Sequence, residues 1–436
     1  MESCSDSKNA HPTFQLRLPL AVCMILDSLQ NAGFDAFIIG GCVRDRLLKR
    51  RVKDWDIATN ATPQEIIEIF SHNGHFKIVD FAMRFGCIGL AKDKKVFEIT
   101  TFRTEGEYKD YRKPSSVSFA KTLQKDVLRR DFSINALAYT HQVGIIDYVD
   151  GLQALQRCEI ACIGDANRCF SEDSLRILRA IRFRATLGFQ IHPDTKRAIF
   201  SNAHLLLYLS SERINSELSK MILGKYIFYV LTEFEEIFWT IFVKFSQASS
   251  SHLQDHTTLF YRRNLGLIKY APKNLVVRFV LIFGSFTTDY VVDKTLNKLK
   301  YPKNFNLQVL GLLETYKQAQ RFEQNGFDKL DIKKLFIALG RENIGDFYTL
   351  LKTCQKAKNL PAFCSYAYAN KDNLCQVLEI KDLCVNGEDL KKLGVCESKK
   401  IGKVLQGLFY EVLQEKLSNT REQLLTRAKV LLEISN

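Results

Sequence analysis

The feature that most constrains this chain is a change of period. Up to residue 150, the apolar residues come in short, β-branched or aromatic runs bounded by glycine or charged turns: Ala36 to Gly40, Lys77 to Phe81, Cys87 to Ala91 and Val96 to Thr101. Such runs predict strands. Among them, Thr62 to Phe70 has helical spacing, with Pro63 at a first helical position behind a threonine cap. From about residue 170 the spacing is helical almost throughout, over Ser171 to Leu187, Ser211 to Ile222, Leu275 to Phe283, Ile332 to Leu339, Ile401 to Glu415 and Thr420 to Ile434. The pattern predicts an α+β N-terminal domain followed by an elongated all-α region. No repeat of fixed period interrupts it.

Composition narrows the classes. With 436 residues, 46% of them hydrophobic and 25% charged, the chain can bury a sizeable core. No apolar run approaches the roughly 20 residues of a membrane span. The greasiest stretch, Tyr226 to Phe245, is broken by Glu233, Glu235, Glu236 and Lys244 and reads as an amphipathic or buried helix. Leu16 to Phe34 has helical spacing and lacks the pattern of a secretory signal. The twelve cysteines are scattered, with Cys158-x3-Cys162 a close pair and no C-x2-C pair for zinc. Reduced thiols are therefore expected, as in the cytoplasm. His252 and His256 stand at helical spacing, and as an unmatched pair in a polar segment they read as solvated.

A net charge of +14 points to an anionic partner. Arg44 to Lys53 holds six basic residues against Asp45, and Lys391 to Lys403 holds five lysines against Glu397. Two separated basic clusters suit a long polyanion such as RNA.

Chemistry concentrates in two constellations. The first begins with Phe37-Ile38-Ile39-Gly40-Gly41-Cys42-Val43-Arg44-Asp45, a strand, a glycine turn and a helix start. Gly40 and Gly41 permit positive φ and close backbone approach, while Arg44 offers a bidentate phosphate donor. Nine residues after Asp45 comes Asp54-Trp55-Asp56-Ile57-Ala58-Thr59, whose alternation predicts a strand with both carboxylates on one face. Same-face neighbours sit about 7 Å apart, and two such charges ask for a neutralising cation. A Mg²⁺ site is the usual reason to build such a pair. Glu98, in the strand-like Val96-Phe97-Glu98-Ile99-Thr100, is a candidate third carboxylate.

Gly-Gly-x-Val-Arg-Asp followed by Asp-x-Asp-Ile-Ala-Thr-x-Ala-x-Pro resembles the catalytic motif of the class II tRNA nucleotidyltransferase and bacterial poly(A) polymerase family, within the DNA polymerase beta nucleotidyltransferase superfamily. The likeness continues through Phe102-Arg103-Thr104, Tyr108-x-Asp110-x-Arg112-x-Pro114, Arg129-Arg130-Asp131-Phe132-Ser133-Ile134-Asn135-Ala136 and Glu172-Asp173-x-x-Arg176, and covers nearly the whole chain. The resemblance implies a polymerase beta-like catalytic head over 1–150, a helical base-recognition neck over 151–215, a helical body over 216–330 and a tRNA-binding tail over 331–436. It implies template-independent addition of C, C and A to the tRNA 3′ end from CTP and ATP, with Asp54, Asp56 and Glu98 catalytic and Asp54 and Asp56 holding Mg²⁺. Poly(A) polymerase, or a partial CC- or A-adding enzyme, is the alternative within the family. A catalytically silent RNA-binding shell is disfavoured because both aspartates are present.

The second constellation would take the nucleotide. The resemblance assigns Arg130 and Asp131 to ribose recognition, and Asn135 is expected to support the local backbone. Asp173, Arg176, Arg179 and Arg182 recur every third residue, which on one helix from Ser171 to Leu187 makes a drifting stripe. Asp173 can accept from the exocyclic amino group of cytosine or adenine while Arg176 donates to the ring nitrogen; uracil and guanine invert both requirements. Local acids leave Arg179 and Arg182 over for a triphosphate.

The tail, with Leu383-Cys384-Val385-Asn386-Gly387-Glu388-Asp389-Leu390, Leu393-Gly394, Ile401-Gly402, Asn419 and Leu424-Leu425, resembles that of CCA-adding enzymes. Three departures stand out. Met83-Arg84-Phe85-Gly86-Cys87 replaces a Lys-His-Gly-Thr common in relatives, Ser133 replaces a threonine, and Cys396-Glu397-Ser398 replaces a turn often bearing Pro and Gly.

Overall fold

Runs rich in Ile, Val and Phe pair into one mixed sheet of eight strands. These are β1 (Ala10–His11), β2 (Ala36–Ile39), β3 (Asp56–Thr59), β4 (Lys77–Ala82), β5 (Cys87–Lys92), β6 (Lys95–Thr101), β7 (Ala138–Thr140) and β8 (Gly144–Ile146). They run in the order β1-β8-β7-β2-β3-β6-β5-β4. Neighbours are antiparallel except β3 and β6, which are parallel and set Asp56 opposite Glu98. The chain's computed structural model describes residues 10–11, 15–71, 74–105, 108–109, 113–114, 117–246, 266–283, 289–357, 362–370, 374, 376–395 and 397–433. Asp110, Arg112, His252, His256 and Cys396 lie outside the described residues.

Contacts divide the chain into two units, Met1–Lys244 and Phe245–Asn436. The first carries the sheet together with α1 (Leu20–Asn31), α2 (Gly41–Leu47), α3 (Pro63–Ser71), α4 (Leu123–Leu128), α5 (Gly151–Gln156), α6 (Ala166–Glu172), α7 (Leu175–Leu187), α8 (Pro193–Ser201), α9 (Ser211–Ile222), α10 (Ile227–Glu233) and α11 (Glu235–Ser246). Pro63 does open α3, and Thr62 and Glu65 close a capping box in which the Thr62 amide donates to Glu65 (2.7 Å) and the Glu65 amide to Thr62 (3.4 Å). Phe37, Ile39, Phe102, Leu123, Val127 and Ile146 belong to one buried cluster that joins sheet to α4.

Three expected elements differ. The single helix over 171–187 is two helices: α6 ends at Glu172, Asp173 is extended (φ −138°, ψ 102°), and α7 starts at Leu175. Ser171 is thus inside α6 and not a cap. Tyr226 to Phe245 likewise divides, into α10 and α11 on either side of Phe234. The strand expected from Asp54 begins at Asp56, leaving Asp54 just before it.

The second unit is helical throughout its described residues, including Leu275–Phe283, Lys303–Asn325, Lys329–Leu339, Ile344–Lys356, Ser398–Leu413 and Arg421–Glu433. Its tail packs Leu383, Val385, Leu390, Val404, Leu408 and Leu424 in one cluster. Buried Lys333 donates to the Leu413 carbonyl (3.1 Å) and to Glu415 (2.9 Å). Among the described residues no helix is long and apolar enough to cross a membrane. Among the described residues Cys158 and Cys162 are free thiols, as are Cys23, Cys42, Cys87, Cys169, Cys354 and Cys384.

Candidate active site

A cavity of about 730 Å³ in the first unit is lined by every one of the twelve residues singled out above: Gly40, Gly41, Arg44, Asp54, Asp56, Glu98, Arg130, Asp131, Asp173, Arg176, Arg179 and Arg182. Eight arginines and five carboxylates line it altogether. Residues 142 positions apart in the chain, Gly40 and Arg182, therefore share one chamber.

The sheet supplies the acidic wall. The parallel register pairs Asp56 with Glu98, and Asp54 lies two residues before Asp56. Burial first, then the charge of Glu98, holds the Asp56 carboxyl above the ordinary carboxylate range; Asp54 adds to this and Arg130 opposes it. Among the described residues neither the Asp54 nor the Asp56 carboxylate receives a hydrogen bond. Glu98 does receive one, from the Cys87 thiol at 3.0 Å. Burial and that bond push the Cys87 thiol up to about 12.

These oxygen donors suit Mg²⁺. Among the described residues no three acidic, cysteine or histidine side chains converge closely enough to hold a metal ion unaided. That agrees with the habit of Mg²⁺, which takes one or two carboxylates and completes its shell with water and substrate phosphates.

The glycine turn joins the two walls. Gly40 has φ +85°, a conformation that strains any side chain, and a Cβ there would crowd an Arg130 nitrogen at 3.2 Å. Arg44 on α2 is buried, donates to Asp45 (3.0 Å) and hydrogen-bonds the Asn135 side-chain oxygen. Asn135 also donates to Asp131 (3.3 Å). Its side chain therefore orients Arg44 and Asp131, where backbone support alone was expected.

The helices supply the basic wall. Asp126, missed in the sequence, accepts from Arg129 (2.6 Å) and from Arg130 (2.9 Å). Burial would raise the Asp126 carboxyl, but Arg130 and Arg129 together pull it below its usual range. Asp131 is held low in the same way: burial opposes, and Arg179, donating at 2.6 Å, wins. Arg182 pairs with Glu217 on α9. So the arginines expected to lack partners have them, from residues remote in sequence.

The side chains of Asp173 and Arg176 are also anchored separately. The Asp173 carboxylate accepts two bonds from one Arg213 nitrogen, at 2.7 and 3.0 Å, and one from the Leu175 amide (3.1 Å), while its carbonyl accepts from the Arg176 amide (3.0 Å). Arg176 donates to Glu172 (3.0 Å), the Cys169 carbonyl (3.3 Å) and the Arg129 carbonyl (3.0 Å). No local pattern marks Arg213, which stands 40 residues from its partner.

Fold and site together define a nucleotidyltransferase. The family model described as the Poly A polymerase head domain matches residues 36–161, tRNA nucleotidyltransferase domain 2 matches 278–428, and the probable RNA and SrmB-binding site of polymerase A matches 188–236. A CCA-adding enzyme of Lactobacillus delbrueckii subsp. bulgaricus is 32% identical over 400 residues, spanning 91% of this chain and 94% of its own. The crystal structure of the Bacillus stearothermophilus CCA-adding enzyme in complex with CTP superposes with a TM-score of 0.72 at 25% identity, over 95% of this chain and 97% of that one. The Thermotoga maritima CCA-adding enzyme complexed with tRNA shares the fold, with a TM-score of 0.67 at 19% identity over 96% of this chain and 100% of that one. The chain belongs to the CCA-adding enzyme family.

Proposed function

We propose that this enzyme adds C, C and A in turn to the 3′ end of tRNA, taking CTP and ATP without a nucleic-acid template. The observation that carries the reading is the meeting of the Asp173 and Arg176 base-reading groups with Asp54, Asp56 and Glu98 in one arginine-rich cavity. The primer 3′-hydroxyl gives up its proton to solvent as its oxygen bonds to the α-phosphorus of the nucleotide, while the bond from that phosphorus to the β-bridging oxygen breaks and pyrophosphate leaves.

Asp54 and Asp56 would hold Mg²⁺, with Glu98 beside them; when bound, the ion supplies Lewis-acid stabilisation of charge on the transferring phosphoryl group. Arg44, Arg179 and Arg182, with the Gly40-Gly41 turn, take the triphosphate. Arg130 faces the ribose, with Asp131 as the acceptor behind it. Asp173 accepts from the exocyclic amino group and Arg176 donates to the ring nitrogen, so CTP and ATP satisfy both and UTP and GTP neither. In this reading 1–150 is the catalytic head, 151–215 the base-reading neck, and the body over 216–330 and tail over 331–436 track the tRNA by shape and phosphate contacts. Free thiols suit a reducing compartment, and we place the reaction in the cytoplasm.

The test uses purified protein, Mg²⁺ and tRNA transcripts ending before CCA, after CC, or after CCA, each with CTP, ATP or both. Addition of C, C and A followed by a stop is the expected result. Long A runs would move the activity to poly(A) synthesis, and a halt after CC would leave a partner enzyme to finish.

A further inference from the structure

Phe183, on α7, stands where the phosphate-side arginines meet. Its ring is 4% exposed and packs edge-on against Phe132, with centroids 5.8 Å apart. Three guanidinium carbons lie over that one ring: Arg182 at 4.0 Å, Arg44 at 5.1 Å and Arg179 at 5.7 Å. They arrive from two different elements, α2 and α7.

Like charges brought that close repel. Burial disfavours the charge on Arg182, Glu217 supports it, and neighbouring Arg179 works against it. Three carboxylates share the load: Asp45, Asp131 and Glu217 are ion-paired with Arg44, Arg179 and Arg182 respectively. A further carboxylate among the guanidiniums would relieve the repulsion, but it would also repel a polyphosphate. An aromatic face attracts cations without carrying net charge, and does so within about 6 Å of the centroid. The ring therefore collects positive charge while leaving its field available to a polyanion.

We propose that Phe183 is a positioning residue that gathers Arg44, Arg179 and Arg182 by cation–π attraction and so aims three guanidiniums at a nucleotide's triphosphate. The proposal rests on the reading of this cavity as a nucleoside triphosphate site. It assigns the ring an electrostatic task beyond filling space.

Shape and electrostatics can be separated. Phenylalanines carrying one, two and three ring fluorines, placed at position 183 of the full chain, keep the ring's outline while draining negative charge from its face. Calorimetric affinities for inorganic tripolyphosphate, CTP and cytidine would be measured for each, with the thermal midpoint of the protein. The expected result is a stepwise weakening for tripolyphosphate and CTP, reaching about tenfold at three fluorines, with cytidine and the midpoint unchanged. Phe183→Leu should weaken tripolyphosphate at least as much. A flat series with normal CTP binding would overturn the role of Phe183 and leave the nucleotide site standing. Failure of the unaltered protein to bind either CTP or tripolyphosphate would overturn both.

Discussion

The two walls of the cavity handle charge in opposite ways. On the sheet wall, Asp54, Asp56 and Glu98 stand together; among the described residues only a thiol donates to their carboxylates, at Glu98, and burial followed by repulsion holds Asp56 above its usual range. On the helix wall, arginines are held by carboxylates: Asp131, which itself lines the cavity, and Asp126, Glu172 and Glu217 behind it. One wall is complete on folding. The other keeps carboxylate charge that Arg130 offsets only in part, so removing a side chain should have different consequences on the two sides.

The largest effect is expected on the sheet wall. Asp54→Ala or Asp56→Ala should lower nucleotide incorporation by about 1000-fold, with tRNA binding in a filter assay unchanged. Turnover that survived either change would erase the contrast between the walls. On the helix wall, Asp173→Ala should spare turnover with CTP more than it spares choice. Preference for CTP and ATP over UTP and GTP, measured as a ratio of kcat/KM, should fall by about 100-fold.

A smaller effect sharpens the comparison. Arg213→Ala leaves Asp173 and its bond from the Leu175 amide (3.1 Å) in place but removes the two hydrogen bonds from Arg213, at 2.7 and 3.0 Å. The same preference should fall by about tenfold. Wild-type selectivity in that variant would mean Asp173 needs no support from α9.

The smallest effect concerns acid. Asp126 and Asp131 both titrate below the ordinary carboxylate range when folded. Their stabilisation is therefore present above the unfolded value, near pH 4, and is lost as pH falls through the lower folded values. Melting temperature should drop as pH falls below about 4, and Asp126→Asn, already less stable at neutral pH, should show the shallower drop. Parallel curves for the two proteins would count against Asp126 as a source of the acid response.

Spacing located the cavity better than it located the bonds inside it. The glycine turn, the Asp-x-Asp pair and the arginines at every third position each leave a short-range signature, since each rests on the period of one element. Several strand ends were readable within a residue, as in Lys77–Ala82 against the expected Lys77 to Phe81, though the strand expected from Asp54 starts two residues later. The break at Asp173 was not, because a capping aspartate and a helical stripe of arginines share the same three-residue step. Asp126 stands at helical spacing from Arg129 and Arg130 and was legible; Arg213 and Glu217 were not. Arg213 and Glu217 act on partners 40 and 35 residues away, and nothing in one sequence pairs them. Asn135 was assigned to backbone for the same cause: Arg44 lies 91 positions distant.

The anchoring of the helix wall has a thermodynamic side. An arginine side chain free to rotate carries about 2 kcal/mol of rotamer entropy, which a ligand must otherwise overcome for each one it immobilises. Here Arg44, Arg130, Arg176, Arg179 and Arg182 are already immobilised by Asn135, Asp126, Glu172, Asp131 and Glu217. That loss is settled once, during folding. Each nucleotide in a series of additions then meets the same stiff frame, and no step of the series begins with the disorder left by the one before.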